Sequence, residues 1–164
     1  LRRKIAWVLG YYAVHGWLSA SVCKTLKPVM PILTRGLVTA LNDTHYLVRA
    51  TAVDSLANLV SSCAKKRLKT TILQFVQLLN DKHREVRIAT VKSLGNMGQI
   101  AAFLLLIALR DSDWRVREAS IKALGKLGPK ARLAIPALTN ALKDLHISVR
   151  IAAALALCKV QKSG

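Results

Sequence analysis

Aromatic residues, acidic residues and paired cysteines are all scarce in this chain of 164 residues. Phe, Trp and Tyr make up 5% of the sequence, so Ala, Leu, Ile and Val build the core. That composition suits closely packed helices better than aromatic-rich strands. The three cysteines include no Cys-x-x-Cys pair, which argues against zinc and redox motifs and favours reduced thiols in an intracellular compartment, cytoplasmic or nuclear. No segment alternates apolar and polar residues with a period of two, so we expect no β-strand.

Long apolar runs are also missing. The longest one, residues 100–109, is far too short to cross a bilayer, so we predict no transmembrane segment. Residues 1–4 followed by 5–14 are similar to the basic and apolar parts of a secretion signal. We favour another interpretation, because Leu1-Arg2 and Leu9-Gly10 align with the repeat that fills the rest of the chain. The chain then begins inside a repeat, and we expect it to be a fragment of a longer array.

One skeleton recurs four times: Leu, any residue, Asp, four residues, Val-Arg, six residues, Leu. The steps between successive Asp residues are 38, 30 and 33 residues. A period in that range indicates a stack of supersecondary units. The four copies are Leu41/Asp43/Val48-Arg49/Leu56, Leu79/Asp81/Val86-Arg87/Leu94, Leu109/Asp111/Val116-Arg117/Leu124 and Leu142/Asp144/Val149-Arg150/Leu157.

Each copy predicts two helices joined by a short polar turn. The apolar residues before the Asp show helical spacing, and those after Val-Arg recur at three- and four-residue steps on one helical face. Gly98 and Gly128 fall where second helices should end, because glycine adopts a left-handed conformation at little cost. Pro31 and Pro136 lie deeper in the first helices, and we expect them to bend or restart those helices.

The Asp and the Arg of the skeleton are six residues apart in every copy. An Asp in the turn can accept hydrogen bonds from backbone donors of the following helix, and the Arg can meet an Asp of the adjacent repeat. Stacked repeats would thus form a ladder of charge-assisted bonds, which stabilises the stack and binds no ligand. The ladder residues are Asp43, Arg49, Asp81, Arg87, Asp111, Arg117, Asp144 and Arg150.

Residues 109–129 resemble the HEAT-repeat consensus, and residues 134–144 do so as well. The resemblance is closest to the repeats of phycobilisome lyases and of many scaffold proteins. It covers residues 29–160 strongly and residues 1–28 weakly.

The resemblance implies an all-α fold, an α-solenoid of about four to five stacked helical hairpins in a right-handed superhelical array. In the HEAT family the second helices line the concave surface. We predict a single domain spanning 1–164. Its predicted parts are a partial or divergent repeat at 1–28 and repeats at 29–66, 67–98, 99–128 and 129–162.

Three histidines occupy equivalent positions, two residues past the Asp of the skeleton. They are His45, His83 and His146, and the third repeat carries Asp113 there. Equivalent positions on stacked helices lie roughly 8–10 Å apart, whereas zinc ligands must each come within about 2.1 Å of one ion. We therefore predict no metal site and no cofactor, and expect these residues to satisfy free amides at the start of each second helix.

Catalytic groups are not apparent in the sequence. HEAT-repeat iron hydroxylases, which have a similar fold, use His-Glu pairs, and no His-Glu dipeptide occurs here. HEAT-like DNA glycosylases use Trp and Asp in a concave cleft, but Asp113-Trp114 lies in a predicted turn. We predict a non-enzymatic protein, and the alternative is a HEAT-like enzyme, either an alkylpurine DNA glycosylase or a phycobilin chromophore lyase.

Lys and Arg number 26 against 8 Asp and Glu, a formal net charge of +18. Leaving out four ladder Asp and five Arg at the Val-Arg position, Arg2 included, keeps 21 basic and 4 acidic residues. Ladder pairing therefore does not account for the excess. The excess favours an anionic partner, such as nucleic acid, an anionic membrane surface or an acidic protein segment, and the alternative is a solvated basic surface with no such partner. Part of the charge falls in loops between repeats, at Lys65, Lys66, Arg67, Lys130 and Arg132.

More of the charge lies on the second helices. Positions six and ten past the Val of the skeleton share one helical face, which we call the second-helix stripe. Because second helices are concave in the HEAT family, the resemblance implies a basic concave face there. We predict that it binds an acidic protein partner or nucleic acid, while neighbouring repeats of a longer chain contact the ends. The predicted contacts on the stripe are Asn58, Lys92, Asn96, Lys122, Lys126 and Lys159, and a first half-repeat adds Trp7 and Tyr11.

Overall fold

The computed structural model describes residues 28–63 and 68–161, and all regular secondary structure in those residues is helical. The predicted absence of strands is confirmed for this part of the chain. Its eight α-helices are α1 (Met30–Ala40), α2 (Tyr46–Cys63), α3 (Leu68–Leu78), α4 (Arg84–Asn96), α5 (Ala102–Ala108), α6 (Trp114–Leu127), α7 (Ile135–Ala141) and α8 (Ile147–Gln161). A short 3-10 helix at Gln99–Ala101 precedes α5, and a 3-10 segment at Gly128–Ala134, interrupted by a kink at Ala131, precedes α7.

The chain divides into two compact units, Leu1–Ser93 and Leu94–Gly164. In the first unit α1 packs on α2, and α2 packs on α3. The side chains of Val53, Leu56 and Phe75 are fully buried there, so aliphatic residues and one aromatic ring form this core. Removal of this apolar surface from water is the main stabilising contribution.

In the second unit α6 packs on α5 and on α8, and α8 also packs on α7. The core contains Leu105, Ile121 and Leu138, all with no exposed surface. Helices α6 and α8 approach so closely that a Cβ atom on Gly125 would lie 3.1 Å from both the Cα and the Cβ of Ala156. Small residues at this crossing allow the two backbones to pack together.

The glycines predicted to end second helices do have positive φ angles, 81° at Gly98 and 58° at Gly128. Their ψ angles of −160° and −137° differ from the predicted left-handed helical conformation. This region of φ and ψ is nearly restricted to glycine. A side chain at either position would therefore strain the backbone.

The prolines lie closer to helix starts than the sequence indicated. Pro31 does not bend α1, because the helix begins at Met30 and the missing N–H group falls in the first turn. Pro136 likewise lies in the first turn of α7, which restarts directly after the 3-10 segment. The expected restart is thus confirmed at Pro136.

None of the helices in the described ranges combines the length and the apolar character needed to cross a membrane.

Candidate binding surface on the second helices

An Arg from the skeleton of the first unit binds the Asp of the next repeat with two donors. Arg49 Nε donates to Asp81 Oδ2 at 2.7 Å, and Nη2 donates to Oδ1 at 2.8 Å. Both side chains are 9% exposed. Arg49 Nη1 also donates to the carbonyl oxygens of Asp43 and Thr44, at 2.8 and 3.1 Å. One guanidinium thus holds its own turn and joins it to the next.

The same arrangement recurs in the second unit. Arg117 Nε and Nη2 each donate to one carboxylate oxygen of Asp144 at 2.8 Å. Arg117 Nη1 donates to the carbonyl oxygens of Asp111 and Ser112, at 2.9 and 3.0 Å. The predicted ladder contact is confirmed for these two pairs. The bonds from Arg to its own turn were not predicted, because spacing alone does not show which backbone oxygens are free.

Each skeleton Asp also accepts a hydrogen bond from the backbone N–H two residues later, as predicted. The donors are His45, His83, Asp113 and His146, at 2.8 to 2.9 Å. The hydrogen bond from Arg117, which outweighs desolvation, holds the pKa of Asp144 below its ordinary value. Desolvation raises the pKa of Asp81, but hydrogen bonds from Arg49 and from the His83 backbone outweigh it and the net shift is downward.

The residues two positions past the skeleton Asp begin the second helices. His45 Nδ1 accepts from the Leu47 N–H and His146 Nδ1 from the Ser148 N–H, both at 3.3 Å. Asp113 accepts from the Arg115 N–H at 2.8 Å as the N-cap of α6. The amide-satisfying role is confirmed at these three positions. In the part of the chain that is described, no three His, Cys, Asp or Glu residues are arranged to hold a metal ion.

Stacked rings connect consecutive turns, a contact that sequence reasoning missed. The rings of Tyr46 and His83 lie 4.5 Å apart, and those of Trp114 and His146 lie 3.7 Å apart with 6° between their planes. The signal was available, since each aromatic residue follows the skeleton Asp by three positions and each histidine by two. Asp113 and Trp114 are of the residue types that HEAT-like DNA glycosylases use. In this structure Asp113 caps a helix and Trp114 stacks on a histidine ring.

The second unit brings several predicted contact residues together. Lys126 Nζ donates to Asn96 Oδ1 at 2.8 Å, and Lys122 lies one turn earlier on α6, paired with Glu118 at 2.9 Å. A Cβ atom on Gly125 would lie 3.9 Å from Lys159 Cδ, which places that side chain against α6. These lysines and Asn96 are all exposed. The stripe in this unit is therefore a cationic surface with one amide and one apolar side chain, Leu155, which is 60% exposed.

Other predicted contacts lie apart from this cluster. Lys130 and Arg132 are exposed on the 3-10 segment before α7. Lys65, Lys66 and Arg67 lie outside the described residues, as do Arg2, the N-terminal aromatic residues Trp7 and Tyr11, and the predicted partial repeat except for its last residue.

The stripe of the first unit is less basic. Its residues are Asp54, Asn58 and Lys92, and Asp54 Oδ1 accepts from Ser93 Oγ at 3.0 Å. Although Asp54 is solvent-exposed as a whole residue, desolvation of its carboxyl raises the pKa, while the Ser93 bond and the charge of Lys92 oppose the rise. A carboxylate near Lys92 lowers the local positive potential. The surplus cations of the stripe are thus concentrated in the second unit.

Paired helices, Asp-containing turns and repeated Arg–Asp contacts define an all-α repeat protein of the solenoid class. The sequence profile described as HEAT repeats matches residues 34–108 and 101–163. The chain belongs to the HEAT-repeat family.

Solved structures with the same fold include phycobilisome-lyase-type repeats, as the sequence indicated. A chain of the CpcE–CpcF complex of phycocyanin lyase from Nostoc sp. PCC7120 matches with a TM-score of 0.66 and 23% identity, over 95% of this chain and 57% of that one. This chain thus spans little more than half of that relative. Two engineered proteins match with TM-scores of 0.63 and 0.56, both at 22% identity, over 97% and 80% of this chain and 71% and 38% of theirs. No curated protein sequence matches significantly.

Proposed function

We propose that this HEAT-repeat protein is a non-enzymatic binding module that engages an anionic macromolecule through the second-helix stripe. The observation that carries the proposal is the cluster of exposed cations in the second unit, where Lys122, Lys126 and Lys159 lie on two adjacent helices. The formal net charge of +18 favours approach of any polyanion to this surface.

The cluster suits extended anions because its ammonium groups are mobile point charges on long side chains. Glu118 offsets them locally through its pair with Lys122. An exposed pair of this kind contributes little and exchanges readily for a stronger anion. Asn96 adds a neutral donor beside Lys126, so the surface can bind a phosphate or a carboxylate chain.

The structural roles of Asp113 and Trp114 support a non-enzymatic function, because both side chains already cap or stack within the turn. A chromophore lyase is the alternative suggested by repeat type. The likeness to the phycocyanin lyase chain is 23% in identity and carries the fold alone.

The test is binding of two labelled polyanions, a random DNA duplex and polyglutamate, to wild-type protein and to the double variant Lys122→Glu/Lys126→Glu at two salt concentrations. If the duplex is the partner, we expect weaker binding and a salt slope smaller by about two, since each lysine that neutralises a phosphate contributes about one. If an acidic protein is the partner, polyglutamate should bind the double variant more weakly than the wild type, and the duplex should bind neither protein.

The matched control is Arg35→Glu/Lys82→Glu, which changes the net charge equally but on α1 and in a turn. Both of its positions are exposed, so circular dichroism should show unchanged helicity in both variants. Equal loss of binding in the two variants would mean that total charge, and not the stripe, attracts the polyanion. The proposal would then be wrong.

A further inference from the structure

The second unit carries a groove of about 620 Å³ between its first helices, α5 and α7. We call it the apolar groove. Phe103 and Ile107 line it from α5, Pro136 from α7 and Leu133 from the preceding 3-10 segment. Phe103 is 71% exposed, Ile107 47% and Leu133 84%. Large apolar side chains clustered at an open groove indicate an interaction site.

The fold does not require apolar residues at these positions. Counting back from the skeleton Leu, Phe103 corresponds to Arg35 in the first repeat and to Leu73 in the second, while Ile107 corresponds to Thr39 and Gln77. The comparable groove of the first unit, about 530 Å³, is lined mainly by polar and charged residues, among them Asn42, Gln74 and Gln77, with Val38, Leu41 and Leu78 beside them. Both units form helical hairpins, but large exposed apolar side chains line only the second of these two grooves.

The charged side chains that line the apolar groove leave it with a net positive charge. Arg110 and Lys143 line it and are exposed. Asp144 also lines it, but both of its carboxylate oxygens are engaged by Arg117 at 2.8 Å. The groove therefore offers an apolar wall beside two positive charges that no neighbouring carboxylate of the lining neutralises.

We propose that the apolar groove binds an amphipathic acidic segment of a partner protein, with apolar side chains against Phe103 and Ile107 and carboxylates near Arg110 and Lys143. A second copy of this chain fits less well, because two molecules of formal charge +18 repel each other. Nucleic acid also fits less well, because it has no apolar side chains to pack against this wall. The inference does not depend on the stripe, since neither Lys122 nor Lys126 lines the groove.

The probe is a fluorescein-labelled helical peptide in which leucines form one face and glutamates flank it, measured by fluorescence anisotropy. Phe103→Ser/Ile107→Ser should weaken binding about tenfold or more, because the variant removes two apolar side chains that the bound peptide would cover. Arg110→Glu/Lys143→Glu should also weaken binding and reduce its salt dependence. The variant Lys122→Glu/Lys126→Glu should bind the peptide with no comparable loss.

The matched control is Leu73→Ser/Val76→Ser, which removes two exposed apolar residues from α3, 70% and 37% exposed, that do not line either groove. This control variant should bind the peptide with the same affinity as the wild type. Equal binding of a peptide of the same composition with its leucines scattered would overturn the proposal, because charge alone would then explain the affinity. Dissociation of a wild-type dimer by Phe103→Ser/Ile107→Ser in sedimentation would identify a second copy as the occupant and would also overturn it.

Discussion

Arg117 binds Asp144 through two parallel hydrogen bonds, Nε to Oδ2 and Nη2 to Oδ1, both 2.8 Å long. Arg150 occupies the equivalent position one repeat later and makes the same two bonds to its own turn, to the carbonyl oxygens of Asp144 and Leu145. Within residues 28–63 and 68–161, no carboxylate lies within ion-pair distance of Arg150. The two arginines therefore differ by the contact between repeats and share the contact within a turn.

We predict that Arg117→Ala lowers the free energy of unfolding by about 3 kcal/mol, since it leaves Asp144, with a side chain 13% exposed, without its charge partner. Urea denaturation followed by circular dichroism measures the change. Arg117→Lys should recover only part of the loss, because an ammonium group cannot make the paired bonds of a guanidinium.

The control for this prediction is Arg150→Ala. It removes only bonds to the turn, so its expected loss is about 1 kcal/mol. Equal losses in the Arg117 and Arg150 variants would show that the contact between repeats adds nothing to stability.

Low pH should remove the stabilisation that the ladder carboxylates supply. The pKa values of Asp81 and Asp144 lie below the ordinary value in the folded state. Such groups contribute stability above the unfolded-state pKa, about 3.9, and lose it as the pH falls through the lower folded pKa. We expect the free energy of unfolding to decline below about pH 4.

Asp144→Asn isolates one of these groups, because an amide does not titrate. The stability gap between wild type and this variant should be constant near neutral pH and shrink below about pH 4, as protonation removes the charge from the wild-type carboxyl. Urea midpoints across the pH range measure it. A gap that keeps its full size at pH values where the wild-type carboxyl is protonated would contradict the assignment.

Gly125 should not tolerate a methyl group, because its Cβ would lie 3.1 Å from the backbone Cα of Ala156. We predict that Gly125→Ala lowers stability by about 1–3 kcal/mol through overpacking. Gly36 lies inside α1 and a Cβ there would meet no atom within 4 Å. Gly36→Ala should therefore raise stability by about 0.5–1 kcal/mol. Thermal unfolding compares the two, and a stabilised Gly125 variant would mean that α6 and α8 can move apart.

Much of the fold was predictable because the repeat skeleton encodes contacts that are local or occur once per repeat. The turn bond from Asp81 to the His83 N–H spans two residues and follows from spacing. The bond from Arg49 to Asp81 spans 32 residues, but the same hypothesis also predicts the bond from Arg117 to Asp144, because the contact recurs with the repeat.

The binding surfaces were less predictable. The stripe was found from helical periodicity, but the carboxyl group of Asp54 on it is desolvated, which no spacing shows. The rings of Trp114 and His146 come together only because two turns stack. Phe103 and Leu133 belong to different segments, and only the approach of α5 to the 3-10 segment places them in one groove.

The sequence by itself determined the helical pairs, their Asp turns and the arginines that hold them, because these depend on residue type at short or periodic spacing. The tertiary structure alone decided where cations stay uncompensated and where apolar side chains stay exposed. Exposure and desolvation depend on which atoms from distant segments surround a side chain, and one-dimensional order does not specify those neighbours.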